Sequence, residues 1–317
     1  MKRRQALKMI GAGLVLGGVA HWEVANAFVK QQTGSGTLQA MYDPSLSERG
    51  HATFAWRTGA RGGQCSGHPF VIGLGRKAGA VLARMGAGEL SGATNLAGLQ
   101  LDADWLDAQL DSCAVAILVI DTTDPTAVNA AAYWARQFGL YQNIELRAAL
   151  LLGNAESHAA SFLGSGMAPH FHGVLRVEAG TADDETQAAA LLLDGWFQQD
   201  EAAIVIPVHH IREQLIKGHV SARCRTIAWR SDCQRVMAQT MATWSEEQPE
   251  SVLAWLHAAQ DLSVAEFEQA CAALAIYLEP SAPLDVSVII RPDWAGTGRR
   301  AFSLVTTGRR ECETQAV

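Results

Sequence analysis

The sequence predicts an α/β fold: a parallel sheet covered by helices, a central connecting helix, and a smaller α+β C-terminal domain. Three observations carry this. Ala114 to Ile120, AVAILVI, is a continuous apolar run of the kind found in strands buried on both faces, and Leu146 to Leu152 reads as another. Helical stretches alternate with such strands, which implies a parallel sheet with helices on both sides. Beyond Trp244 the order changes to strand, helix, strand, strand.

The elements follow in order. Residues 28–67 are polar and rich in Gly, Gln and Ser, and read as a linker or arm, with Ala52 to Arg57 as a short strand. Residues 68–224 form the α/β domain. Within it, Phe70 to Leu74 is a strand and Gly79 to Met85 a helix. Thr126 to Phe138 is a helix with Gly139 as its stop. Val174 to Val177 is a further strand, and Ala202 to Pro207, AAIVIP, another. Between them, Asp184 to Phe197 is a helix opened by acidic residues that suit its N-terminus. Residues 225–244 are the connecting helix. In residues 245–308, Ser251 to His257 is strand-like. Ser263 to Ala275 is a helix with a capping box from Ser263 and Glu266. Pro283 to Ile290 and Phe302 to Thr306 are strands, and residues 309–317 are a tail.

Composition narrows the function classes. Of 317 residues, 49% are apolar and 18% charged, a core-forming balance. A net charge of −7 excludes a general nucleic-acid binder, which needs a basic face. Basic residues do gather in Lys2 to Arg4 and in Arg299, Arg300, Arg309 and Arg310; the second group reads as a solvated tail. Lys2 to Lys8, an apolar run from Met9 to Ala20, and Ala25-Asn26-Ala27 make the three parts of a signal peptide in residues 1–27. Arg3-Arg4 followed by Leu7-Lys8 resembles the twin-arginine export motif. The implied location is periplasmic, or, uncleaved, anchored at the inner membrane. The six cysteines, Cys65, Cys113, Cys224, Cys233, Cys271 and Cys312, show neither C-x-x-C nor zinc spacing. Cys113 precedes an apolar strand and reads as a small buried hydrophobe.

The candidate ligand site is the strand–turn–helix VIGLGRKAGAVLARM at Val71 to Met85. Gly73, Gly75 and Gly79 give a loosened G-x-G-x-x-G frame whose helix N-terminus suits a phosphate, and Arg76 and Lys77 add positive charge. Two weaker readings stand beside it. His170 and His172 are two apart and on a strand would share one face; His209 and His210 follow a strand end; either pair is a candidate metal site. Ser165, in Gly164-Ser165-Gly166, lacks the frame of a hydrolase nucleophile.

Four blocks in order resemble FtsZ, of the tubulin/FtsZ superfamily. VIGLGRKAGAVLARM is in step with that family's VIGVGGGGGNAV-x-R-M. Ala114 to Gly139 stands where FtsZ has a strand, GGGTGTG and a helix. AIVIPVHHI at Ala203 to Ile211 is similar to L-I-x-I-P-N-D-[KR]-L, and Asp261 to Gly308 resembles the C-terminal domain. The resemblance implies a nucleotide-binding-like α/β domain with GTP at Gly73, Gly75, Arg76, Lys77, Gly79, Asp121, Thr122 and Thr123.

The departures from that pattern fall on the functional positions. Asp121-Thr122-Thr123-Asp124-Pro125-Thr126 replaces the tandem glycines and threonines, and carboxylates repel a polyphosphate. Cys233 stands for the guanine-reading Asn and Gln234 for its neighbouring Asp. Ser245 to Glu250 replaces the N-x-D-x-A-D loop that completes hydrolysis across a filament contact. No catalytic residue carries over, and the glycine turn is vestigial. The leading expectation is a non-catalytic, exported binding or scaffold protein without a cofactor, with protein partners in a membrane-associated complex and weak self-association. An exported protein also meets no pool of GTP. The alternatives are a membrane-anchored, nucleotide-binding, filament-forming FtsZ-like protein and an exported dinucleotide-binding oxidoreductase.

Overall fold

The computed structural model describes residues 38–40, 53–58, 68–85, 94–95, 110–111, 113–153, 162, 166–179, 182–197, 202–204, 206–218, 222–242, 249–278 and 282–308. The export-like segment, the loop at Ser245 to Gln248, Ser165, Cys65, Cys312 and the tail lie outside them.

Twelve strands form one sheet: β1 Leu38–Ala40, β2 Thr53–Thr58, β3 His68–Leu74, β4 Thr94–Asn95, β5 Cys113–Asp121, β6 Leu146–Leu152, β7 Gly173–Val177, β8 Ala202–Ile204, β9 Ala222–Trp229, β10 Ser251–Ala258, β11 Leu284–Ile290 and β12 Arg300–Thr307. The described residues include six α-helices: α1 Arg76–Met85, α2 Pro125–Leu140, α3 Ala182–Phe197, α4 Val208–Gly218, α5 Cys233–Ala242 and α6 Val264–Ala275. The strand order is β1-β2-β3-β5-β6-β7-β9-β12-β10-β11-β8, with β4 on β2. Strands β3, β5, β6, β7 and β9 are parallel. β12 runs antiparallel to both β9 and β10, so β10 and its parallel neighbour β11 point the same way as β3. One edge of the sheet therefore gathers the carboxyl ends of these seven strands, together with those of β1 and β4, and open α/β sheets place their ligand sites at such an edge.

Apolar runs explain the layers. All nine residues of β5 are buried, as its unbroken hydrophobicity requires. On one face, α1, α3 and α4 share a single core with Val71, Val119, Leu150, Leu175 and Trp255. The other face carries two cores. α2 packs Trp134 and Phe138 over Ile72 and Leu118. α5 and α6 pack Met237, Phe267 and Leu274 over Ile227, Leu256 and Phe302. The capping box of α6 forms as expected: the Ser263 hydroxyl accepts from Glu266 N at 3.2 Å, and the Glu266 carboxylate accepts from Ser263 N at 2.8 Å.

Several elements differ from the sequence reading. Residues 225–244 are not one helix. Ala222–Trp229 is a strand, and the helix is limited to Cys233–Ala242. Ala222 and Cys224 alternate inward while Arg223 and Arg225 bind Glu178 on the other side, a period of two that the ladder with β12 stabilises. Asp232 breaks the chain between them with φ of 54° and caps α5 by accepting from Arg235 N at 3.1 Å. Gly139 does not stop α2, which runs on to Leu140. The His170 ring fills the space a side chain there would need, with Nδ1 2.7 Å from where a Cβ would stand. β8 ends at Ile204, short of Pro207, whose carbonyl accepts from His210 N in the first turn of α4. Within the arm the expected short strand does form, as β2, which pairs along β3 from Thr53↔Leu74 to Arg57↔Phe70; β1 and β4 lie outside that expectation.

The C-terminal basic group is not wholly a solvated tail. Arg300 is 5% exposed and binds Asp261 at 3.0 Å. Arg299 lies 4.4 Å over the buried Trp294 ring.

Candidate functional site

The β3–α1 turn closes on Gly75, whose φ of +86° suits glycine. A Cβ there would stand 2.6 Å from Cβ of Asp121, so the end of β5 is pressed directly against the turn. Gly79 N donates to the Gly75 carbonyl at 3.1 Å, opening α1. The first N–H groups of a helix have no intrahelical partner, and there a phosphate binds. In this chain one of those N–H groups, that of Lys77, is taken. Asp121, 4% exposed, accepts from Lys77 N at 3.1 Å through Oδ2, and from Thr123 N at 3.2 Å through Oδ1. The Thr123 hydroxyl donates to the same Oδ1. The chain's own carboxylate thus binds the first turn of α1 and the loop after β5 together.

A second carboxylate takes the lysine. Glu185, near the start of α3 and 2% exposed, accepts from Lys77 Nζ at 2.9 Å. Its other oxygen accepts from Gly153 N. Gly153 follows β6 with φ of +118°, and a Cβ there would be 2.5 Å from Thr122 Oγ1. Thr122 is spent on the backbone: its N and Oγ1 both donate to the Leu152 carbonyl, at 2.8 and 2.7 Å. Asp124 N-caps α2 by accepting from Thr126 N at 2.9 Å, with Pro125 opening the helix. The acidic loop therefore serves to start a helix and to close the turn. A phosphate charge about 4 Å from the Asp121 carboxylate would be repelled by about 4 kcal/mol at an effective dielectric near 20.

Of the residues the sequence singled out, the structure brings Gly75, Lys77, Asp121, Thr122 and Thr123 together. Arg76 is exposed beside them. Gly73 faces Leu82 and Ala78 of α1, and Gly79 is buried within the helix. Sequence reading missed Glu185 and Gly153. Their link to Lys77 spans 108 residues, and the acidic opening of α3 was the one available signal. Cys233 and Gln234 are not brought to the turn. Four strand spacings, about 19 Å, separate β9 from β3. α5 also lies on the face opposite α1. Cys233 is buried, and desolvation, then the Asp232 charge, pushes its thiol up to about 11. Burial pushes the Cys113 thiol up to about 12, in keeping with a structural residue.

The histidine pairs do not assemble a metal centre. His170 lies in the 3-10 turn Ala168–His170 rather than on a strand. His172 is 9% exposed and engaged with Arg147. His209 and His210 are exposed in the first turn of α4, their rings 4.7 Å apart. Among the described residues no three His, Cys, Asp or Glu side chains are grouped to hold a metal.

A third cluster lies farther along the carboxyl edge. Arg291 bridges Asp194 of α3 and Asp293, and stacks on Trp294 at 5.5 Å. Burial, partly offset by Arg291, raises the Asp194 pKa to about 6. His257 has no exposed surface and pairs with Ser303 at 3.1 Å. Burial first, then Arg291 and Arg299, lowers its pKa to about 3. These groups tie α3 to the ends of β10 and β11.

The sequence matches no protein-family model and no curated protein. Solved structures do match. An empty FtsZ dimer from M. jannaschii superposes with a TM-score of 0.53 at 12% identity, over 65% of this chain and 66% of that one. A tryptophan-to-tyrosine variant of FtsZ from the same organism gives 0.54 at 12% identity, over 66% and 69%. This chain thus spans about two thirds of the length of the FtsZ structures it matches. With its mostly parallel sheet and helices on both faces, the protein has the tubulin/FtsZ-like fold.

Proposed function

We propose that this protein is a non-catalytic binding or scaffold protein on the FtsZ-like fold, exported by the twin-arginine-like segment and working without GTP. One observation carries the reading: Asp121 and Glu185 take the Lys77 backbone N–H and the Lys77 ammonium, the groups that the turn would offer a phosphate. The loss of the guanine-reading and hydrolysis motifs agrees with it. The residues at Gly73, Gly75, Arg76, Lys77, Gly79, Asp121, Thr122 and Thr123 then act as a structural joint between β3, β5, β6 and α3. Function passes to the surfaces, which engage protein partners of a membrane-associated complex, with weak self-association.

The test is a calorimetric titration of residues 28–317 with GTP and magnesium. No heat at millimolar GTP is the expected result. Saturable GTP binding, or GTP turnover above a heat-denatured control, overturns the reading. N-terminal sequencing of the mature protein checks export separately: a chain beginning at Phe28 agrees with it, and one retaining Met1 to Ala27 does not.

A further inference from the structure

At the opposite, amino edge of the sheet, His172 and Arg147 meet in a way that leaves their donors unanswered. The Arg147 backbone N–H donates to His172 Nδ1 at 3.0 Å. A backbone nitrogen only donates, so Nδ1 accepts, and a neutral imidazole must then carry its proton on Nε2. That Nε2–H faces Arg147 Nη2, also a donor, at 3.2 Å. Two donors confront each other without an acceptor. Arg147 Nε is buried with no partner, and Nη1 reaches only the Phe138 carbonyl, at 3.3 Å, near the end of α2. Buried donors in native proteins are otherwise almost always paired.

The charge balance points the same way. Arg212 lies on α4, which packs on β6 and β7, and its positive charge acts on both groups. Burial, then the Arg147 and Arg212 charges, hold the His172 pKa at about 4. Burial, then Arg212, lowers that of Arg147. Among the described residues no carboxylate hydrogen-bonds to Arg147, His172 or Arg212. Arg212 is exposed and Arg147 half-buried, so the cluster opens to solvent. In a chain of net charge −7, Arg147 and the His172 N–H thus lie together under a second positive charge, with no bonded carboxylate among the described residues.

We propose that Arg147, His172 and Arg212 form a binding site for a single small oxyanion, a phosphate or carboxylate group. The anion accepts from His172 Nε2–H and from Arg147 Nη2, and the Arg212 charge adds to the attraction. A planar guanidinium fork suits such a group. This site is separate from the β3–α1 turn, and its fate is independent of GTP binding.

The full chain is titrated by calorimetry with inorganic phosphate at pH 7, and with acetate as a second probe. Saturable binding is expected. Arg212→Gln, on an exposed side chain, should weaken it about threefold to tenfold, the loss of one attracting positive charge. Arg299→Gln, a distant guanidinium, should leave the affinity unchanged. In nitrogen-edited NMR spectra the His172 Nε2 signal should shift with added phosphate in the parent chain, and need more phosphate to shift in Arg212→Gln. Tighter phosphate assigns the site to phosphate groups, and tighter acetate to carboxylates. No saturable binding of either anion, or binding that Arg212→Gln leaves intact, overturns the proposal.

Discussion

Two charged clusters sit at opposite edges of the same sheet and are balanced in opposite ways. At the carboxyl edge, the Lys77 ammonium and backbone N–H each meet a buried carboxylate, from Glu185 and Asp121. At the amino edge, Arg147, His172 and Arg212 meet none among the described residues. The contrast teaches how differently one fold can answer a positive charge: at the turn the chain supplies its own carboxylates, and at the proposed oxyanion site no carboxylate among the described residues does so. Local charge balance matters, because burial makes every unanswered charge costly.

The comparison can be broken at its strongest point first. Glu185→Gln leaves the Lys77 charge largely buried without a counter-charge, and should cost about 3–5 kcal/mol, read as a lower urea midpoint. A loss below about 1 kcal/mol, the worth of a surface pair, would mean that the turn does not depend on Glu185.

Acid sharpens the contrast next. The His172 pKa is about 4 in the fold against 6.5 in a free chain, so the unfolded state takes up the proton first. The stability it contributes is complete above pH 6.5 and is lost as pH falls through 6.5 toward 4, on the order of 3 kcal/mol in all. His257, at about 3, adds a loss of the same sign. Asp194 opposes them: raised to about 6, it contributes below pH 3.8 stability that is lost as pH rises through 6. Ring titrations by NMR separate the two histidines, and saturating phosphate should move the His172 midpoint upward and leave that of His257 in place.

Asp121→Asn keeps an acceptor but removes the charge. It should cost about 1–2 kcal/mol in urea unfolding, since hydrogen bonds to a charged group are the stronger kind. It should also raise the affinity of the β3–α1 turn for inorganic pyrophosphate, measured by calorimetry, while phosphate binding at Arg212 stays unchanged. The smallest effect belongs to Asp124→Ala, which removes the cap of α2 and should lower stability by about 1 kcal/mol without touching either cluster.

The legibility of the fold followed the kind of signal each segment carried. β5 and β6 were plain, because an unbroken apolar run has little choice but a doubly covered strand. The α6 capping box was plain because all its bonds lie within four residues. β9 was misread as helix: it pairs with β7 and β12, which contribute residues far away in the chain. Its alternating Arg223 and Arg225 were the local clue, and their meaning depended on Glu178 across the sheet.

The candidate site divided the same way. Gly75, Lys77 and the Asp121 to Thr126 loop could be named from spacing, and the sequence by itself determined that the turn carried carboxylates in place of glycines. It also determined the α/β alternation and the two-sided burial of the central strands, since apolar periodicity is a local property. Only the tertiary structure decided that Asp121 takes the Lys77 backbone N–H, that Glu185 reaches across 108 residues to Lys77, and that Arg147 and His172 face each other without an acceptor. Hydrogen-bond partners and counter-charges act over a few ångströms of space, and no pattern of neighbouring residues records which distant side chain will arrive there.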